Sequence, residues 1–382
     1  MKLPQGFKAA GIKAGLKPSG KLDLGLIYSD LPLAWAFMGT TNQLKAACVS
    51  RNRSRFSSGD PVHGIVVNAG NANCANGDQG IWDNEDFASL AVNALSLPRV
   101  QSMLTASTGV VGRKLDMEKL KTAVPQLVKE LELDTDHFAE AVVTTDTCTK
   151  QVTKTLRGGA RIVGVCKGSG MIHPNMATML AFVMTDAIVS QEKLREIWPD
   201  IVNHSFNQVT VDGDTSPNDM AFVFSSRQAR VLEEDFIQGL TEVAQELAQK
   251  IARDGEGATK LLTVNVSGAR NDEEARKAAR EVVRSPLVKS AVHGNDPNWG
   301  RILVAVGYSG AVSDMANLKI DLQTRTVYHG KPQDFDAAEI SQSLKVNDAV
   351  IDIDLAAGTA AATAWGCDLS AEYVHINADY TT

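Results

Sequence analysis

Hydrophobic and polar residues alternate along "AVIDIDL" (349–355), where Ile351, Ile353 and Leu355 are separated by Asp352 and Asp354. A period of two puts the apolar set on one face of a strand, leaving the acids to the other. Four further short runs rich in β-branched or aliphatic residues read as strands: "GIVVN" (64–68), "RIVGV" (161–165), "KLLTVNV" (260–266) and "ILVAVG" (302–307). Elsewhere the period lengthens to three or four. Phe236, Leu240, Val243, Leu247 and Ile251 form one apolar stripe, with Glu, Gln and Lys between them. Asn271 followed by Asp272, Glu273 and Glu274 is an N-cap with acids in the first turn, opening a helix that runs towards Ser285-Pro286. A second amphipathic stretch covers 117–131, where Pro125 is expected to kink or split the helix.

Strands and helices are interleaved, yet several strands follow one another without a helix between them. That order favours a mixed α/β sandwich over a doubly wound nucleotide fold. A structural boundary is expected near 267–290, after "VNVSG", and no short internal repeat is visible.

With 38 basic and 45 acidic residues in 382, the net charge is −7. Such a balance gives no electrostatic footprint for nucleic acid and no polybasic patch for a membrane. No apolar run is long enough to span a bilayer. The N-terminal stretch is basic but lacks the continuous apolar segment of a secretory signal. Cys48, Cys74, Cys148, Cys166 and Cys367 are odd in number and scattered without CxxC spacing. Reduced thiols in a cytoplasmic protein are the expectation, with no metal site.

Several segments carry candidate chemistry. "NAGNANCANG" (68–77) is rich in Asn and Gly, which suits a structural loop and a binding loop about equally. "TASTGVVGRKL" (105–115) sets Ser107, Thr108 and Gly109 at a tight turn, the parts of an oxyanion hole but also of many ordinary turns. Asp212, Asp214 and Asp219 in "TVDGDTSPND" (210–219) lack the distal Glu of a calcium loop, so turn chemistry explains them better. In "CKGSGM" (166–171) Lys167 precedes the glycines, which is not the order of a nucleotide-binding loop, although a lysine beside such a turn suits a carboxylate. His173 stands alone, and a lone histidine is more often structural. Thr178 in "MIHPNMATMLAF" therefore has no conventional activating base beside it.

Together these segments resemble the ornithine acetyltransferase (glutamate N-acetyltransferase) family of arginine biosynthesis. The resemblance rests on "KGSGMIHPNMATMLAFVMTDA", supported in order by "GFKAAGIKAGLK", "TTNQLKAA", "NAGNANCANG", "TASTGVVGRKL", "TTDT", "SFNQVTVDGDTSPND", "GEGATKL", "DPNWGRI" and "YVHINADYTT". It covers essentially the whole chain. Two departures, the bulky "AWAFMGTTN" (34–42) and Ala69 where a serine is common, leave the carried-over residues untouched.

The resemblance implies a layered αββα sandwich with a smaller C-terminal α/β domain. It also implies self-cleavage between Ala177 and Thr178, giving pieces of residues 1–177 and 178–382 that assemble as α₂β₂. Thr178 becomes the nucleophile and its new α-amine the base, since an α-amine has a pKa of roughly 7.7–8.0. Thr108 and Gly109 are implied as oxyanion donors. Thr144, Lys167, Thr178, Glu256, Asn377 and Thr382 are implied as contacts to N2-acetylornithine and glutamate. No cofactor is expected, and whether acetyl-CoA also serves as donor stays open. Two rivals remain at this point: an amidase or aminopeptidase of the same fold, delivering the acyl group to water, and a non-catalytic small-molecule binding protein.

Overall fold

The computed structural model describes residues 1–173 and 179–379. Its strands are, in chain order, β1 (Lys8–Ile12), β2 (Leu24–Gly39), β3 (Val62–Asn71), β4 (Met103–Val110), β5 (Lys150–Thr155), β6 (Arg161–Lys167) and β7 (Leu180–Ala187). They continue with β8 (Val209–Thr210), β9 (Met220–Ala229), β10 (Leu261–Ala269), β11 (Lys319–Leu322), β12 (Arg325–His329), β13 (Asp348–Asp354) and β14 (Ala360–Cys367).

The long β2 joins two layers. Its first part, 24–28, pairs with β1 and β3, while Ala34–Gly39 pairs with β9. One layer is thus β1, β2, β3 and β4; the other runs β2, β9, β7, β6, β5. Period-two burial fills three cores at once. Ile27, Ile65, Val67, Leu104, Phe182, Phe222 and Phe224 point between the sheets. Leu24, Leu26 and Val66 face the helices Gly77–Ala94 and Met117–Lys129. Ala181, Val183, Ala221 and Val223 face the helices Gln191–Asn203 and Glu233–Arg253. The result is four layers, helix, sheet, sheet, helix. Phe222 stacks on Phe182 and Phe224 at 5.8 and 5.7 Å between ring centres, and each such buried side chain contributes about 1.5–3 kcal/mol.

The second sheet, ordered β12-β11-β13-β10-β14-β8, forms the smaller C-terminal unit with its own core. It already includes β10, so the change of sheet precedes the 267–290 segment. The two residues of β8 pair with β14 and stitch the units together, Trp365 opposite Val209 and Gly366 opposite Thr210.

Two elements differ from their expected form. "ILVAVG" lies in a helix, Trp299–Ser309, capped by the Asn298 side chain and ended by a left-handed Gly310. A short apolar run does not separate a buried strand from a helix; burial of Ile302, Ala305, Val306 and Ser309 shows the helical spacing. The helix Met117–Lys129 runs unbroken through Pro125, which lies on its exposed side, where the unpaired carbonyl one turn earlier can turn to water. The Asn271 cap behaves as read, accepting from the Glu274 N–H at 2.9 Å.

Candidate active site

Four junctions meet where the sandwich abuts the second sheet: the ends of β4 and β6, the loop between β8 and β9, and the turn entering β10. They line a pocket with Thr108, Gly109, Val111, Thr144, Thr145, Lys167, Gly170, Met171, Asp212, Asp214, Ser216, Pro217, Asn218 and Glu256. Tyr373 and Asn377, from the helix Ala371–Asp379, complete it. Of the residues implied by resemblance, Thr108, Gly109, Thr144, Lys167, Glu256 and Asn377 come together here. Ala177, Thr178 and Thr382 lie outside the described residues. The flanks of that inner segment are fixed: Met179 accepts from the Met220 N–H at 3.1 Å, and Leu180 pairs with Lys167 across β6 and β7.

Gly109 is required sterically. It has φ of +128°, and a Cβ there would lie 2.4 Å from the Gly70 carbonyl carbon. This close approach of β3 and β4 sets Thr108 and Gly109 at the pocket rim. The Asn-rich loop is the brace behind them. Asn71 donates to the Lys114 carbonyl and Asn76 to that of Arg113, while Ser107 donates to Asn68 Oδ1 at 2.7 Å. Asn218 donates to the Ala72 and Ser107 carbonyls at 2.7 and 2.8 Å.

A buried ion network builds the wall that carries Thr144 and Lys167. Lys150 pairs with Asp146 and Asp254, whose side chains are 0% and 7% exposed. Asp146 also accepts from the N–H groups of Gly168 and Thr144, at 2.7 and 3.0 Å. Asp254 accepts from the Thr147 N–H, and its carbonyl takes the Ser169 hydroxyl. Burial opposes charge on Asp146, but the Lys150 and Lys167 ammoniums outweigh it and hold the carboxyl below its ordinary range. Burial likewise opposes charge on Lys150, and its two carboxylate partners overcome that and raise it.

Lys167 is almost fully buried, and its ammonium reaches Thr144 Oγ1 at 3.4 Å. Burial lowers its pKa against the pull of Asp146, Asp219 and Glu256. Glu256 packs so closely on Gly170 that a Cβ there would lie 2.2 Å from its carboxyl carbon; it accepts from Asn377 at 2.9 Å. Asp212 is raised to about 6, chiefly by burial, and Tyr373 to about 12 by burial and the neighbouring carboxylates. Among its described lining residues the pocket therefore offers one cation, Lys167, against the carboxyls of Asp212, Asp214 and Glu256. That set suits a small ligand carrying both a carboxylate and an ammonium group.

His173 does not line the pocket. Its Nδ1 is 3.2 Å from Thr210 Oγ1, and burial with Arg284 and Arg280 lowers its pKa to about 4, so its imidazole is neutral at pH 7. Sequence reasoning missed Tyr373, Asn218, Asp212 and Asp214 as lining residues. The aspartates were singled out but fit a turn equally well, and Tyr373 reaches the pocket only because β14 returns the last helix to it. All five cysteines are free, and among the described residues no group of three or more His, Cys, Asp or Glu could hold a metal. No helix described is long and apolar enough to cross a membrane.

Fold and pocket together define an enzyme: a layered αββα sandwich whose strand ends frame a buried site for a small charged substrate. The chain belongs to the ArgJ family, whose model matches residues 8–382. It is 52% identical over 380 residues to "Arginine biosynthesis bifunctional protein ArgJ" of Deinococcus radiodurans, covering 99% of this chain and 97% of that one. The protein of the same name from Thermus thermophilus is 50% identical over 383 residues, covering 100% of each. Among solved structures, arginine biosynthesis bifunctional protein argJ from Bacillus halodurans aligns with a TM-score of 0.50 at 40% identity. That alignment covers 52% of this chain and 98% of that chain.

Proposed function

We propose that this enzyme moves the acetyl group of N2-acetylornithine to glutamate by double displacement on Thr178, after cutting itself between Ala177 and Thr178, and that it needs no cofactor. The cut frees an α-amine on Thr178, whose unperturbed pKa of roughly 7.7–8.0 lets it take the hydroxyl proton near neutrality. Thr178 Oγ attacks the acetyl carbonyl, and the Thr108 hydroxyl and Gly109 N–H receive the oxyanion. One such donor is worth about 2.7–4 kcal/mol of barrier in acyl transfer generally. The proton passes to the leaving ornithine nitrogen, and the glutamate amine then takes the acetyl group from the threonine ester. Lys167 meets the substrate α-carboxylate, and Glu256 with Asn377 meets its ammonium.

The observation that carries this reading is the lining of the pocket. Thr108 and Gly109 sit at its rim, and among its described lining residues one lysine stands against three carboxyls. The family supports it through relatives named for arginine biosynthesis. Self-cleavage is supported by the solved Bacillus chain: 98% of it is matched by 52% of this one, about the share that residues 178–382 would occupy. The reading extends to an α₂β₂ assembly of the two pieces in the cytoplasm.

The test is the denatured intact mass of the protein beside Thr178→Ala, followed by acetyl transfer from N2-acetylornithine to labelled glutamate. Two fragments meeting at 177/178 and measurable transfer are expected of the natural protein, and one inactive chain of the variant. Release of free acetate without acetylglutamate would replace the transferase by an amidase.

A further inference from the structure

In an uncut chain Thr178 has no α-amine, so the first acyl shift draws nothing from the base that serves later turnover. What the fold supplies at that stage is placement. The placement is visible on the described side of the junction, in residues 168–173.

Met171 has φ of +57°, a left-handed conformation that is uncommon and costly for a residue with a Cβ. Asp212 holds it there. One carboxylate oxygen accepts from the Met171 N–H at 2.5 Å, and the other from the Ile172 N–H at 2.8 Å. Two successive backbone N–H groups forked on one carboxylate form an anion-binding nest, here filled by the protein's own acid. The grip closes on the other side of the same residue: the Ile172 carbonyl accepts from the Val211 N–H at 2.8 Å and the Thr210 hydroxyl at 3.3 Å. Asp212 is itself braced, taking the Asp214 N–H at 3.1 Å. Both ends of the 174–178 segment are therefore tied to one stretch of chain, Ile172 to 210–212 and Met179 to Met220.

We infer that Asp212 is a positioning residue for self-cleavage: by clamping Met171 and Ile172 it fixes the strained chain that leads into the segment holding the Ala177–Thr178 bond. The inference rests on the self-cleavage reading above. It gives Asp212 a task distinct from substrate contact, and it explains why a buried acid in a pocket wall spends its oxygens on backbone N–H groups. The chemistry of the cut needs nothing further from it: the hydroxyl proton of Thr178 ends on its nitrogen as the peptide becomes an ester, and water then opens the ester to the Ala177 carboxylate.

The test follows the fraction of full-length chain uncut with time after cell-free synthesis, by denatured mass, for the natural protein, Asp212→Asn, Met171→Gly and Asp212→Asn/Met171→Gly. Asparagine keeps one acceptor but sets an NH₂ against the second N–H, so cutting should slow by about ten- to a hundredfold. Glycine takes positive φ at little cost, so the double variant should recover most of the lost rate although the acid is still missing. A group needed only for general stability, or as a base, would not be rescued in this way. Should Asp212→Asn lose its thermal unfolding transition, Asp212→Glu carries the test, because it keeps the charge and misplaces it by one methylene. Cutting of Asp212→Asn at the natural rate, or a slow variant that glycine at 171 does not rescue, overturns the inference. A natural chain that is never cut removes the self-cleavage reading itself, a result distinct from either.

Discussion

Asp146 and Asp254 close on the Lys150 ammonium and on four N–H or hydroxyl donors, whereas among the described residues the half-buried Asp212 and the buried Asp219 make no ion pair. Among the described residues Asp212 is tied to backbone N–H groups alone, and neither carboxylate oxygen of Asp219 has a hydrogen-bond partner of ordinary geometry. Both walls hold acids. On the first, the Lys150 and Lys167 ammoniums keep the Asp146 carboxyl below its ordinary range. On the second, burial pushes the carboxyls up, Asp212 to about 6 and Asp219 well above its usual range. A closed network scaffolds Thr144 and Lys167, while the second wall holds the backbone of Met171 and Ile172.

The largest effect should follow from opening the closed wall. Lys150→Met leaves two buried carboxylates facing each other without their cation, and stripping one partner from a buried pair costs about 3–5 kcal/mol. Denaturant unfolding should show that loss, and substrate affinity should fall with it as the 144–147 loop loosens. A loss under about 1 kcal/mol would mean the network is hydrated, and the contrast between the walls would disappear.

A pH scan reads the second wall. His173 is held neutral, with a pKa near 4 in the fold against 6.5 for the ordinary group. Between those values the unfolded chain binds the proton and the fold does not, so this group makes stability rise with pH from about 4 to 6.5. Asp212 acts in the opposite direction over much of that window. Its folded pKa of about 6 lies above the usual 3.8, so between them the fold holds the proton and stability falls as pH rises. His173→Gln can keep a bond to Thr210 and removes only the first slope. Its stability relative to the natural protein should drop progressively as pH rises from 4 to 6.5 and change no further above that. A constant offset across the range would mean that His173 titrates normally.

The architecture was largely legible because the signals are local: short β-branched runs in β3 and β6, period two in β10 and β13, period 3.6 in the helix Glu233–Arg253, and the Asn271 cap. The failures are equally local. In Trp299–Ser309 an unbroken apolar run hid the helical spacing, and Pro125 sits on the one face of its helix that tolerates it. Thr108, Gly109 and Lys167 were only weak candidates on their turns and became specific through resemblance, which alone supplied Glu256, since nothing in a lone glycine announces that β3 approaches within 2.4 Å of its missing Cβ. Lys150 could not have been singled out at all. Its partners are 4 and 104 residues away, and only the fold makes them neighbours.

The smallest effect is expected at Asp219, and it decides the contrast most finely. If burial keeps this acid protonated at pH 7, asparagine is close to an isostere of equal charge, and Asp219→Asn should change stability by no more than about 1 kcal/mol. Asp146→Asn, made in parallel, removes a working partner of Lys150 and should cost several times as much. The Lys167 ammonium is the cation whose pull works against protonation of Asp219. Were that pull dominant, the variant would lose clearly more than that, because Lys167 would lose one of the three carboxylates that act on it. Lys167 would then be held by an acid behind it rather than left open for a substrate carboxylate, and the second wall would be built like the first.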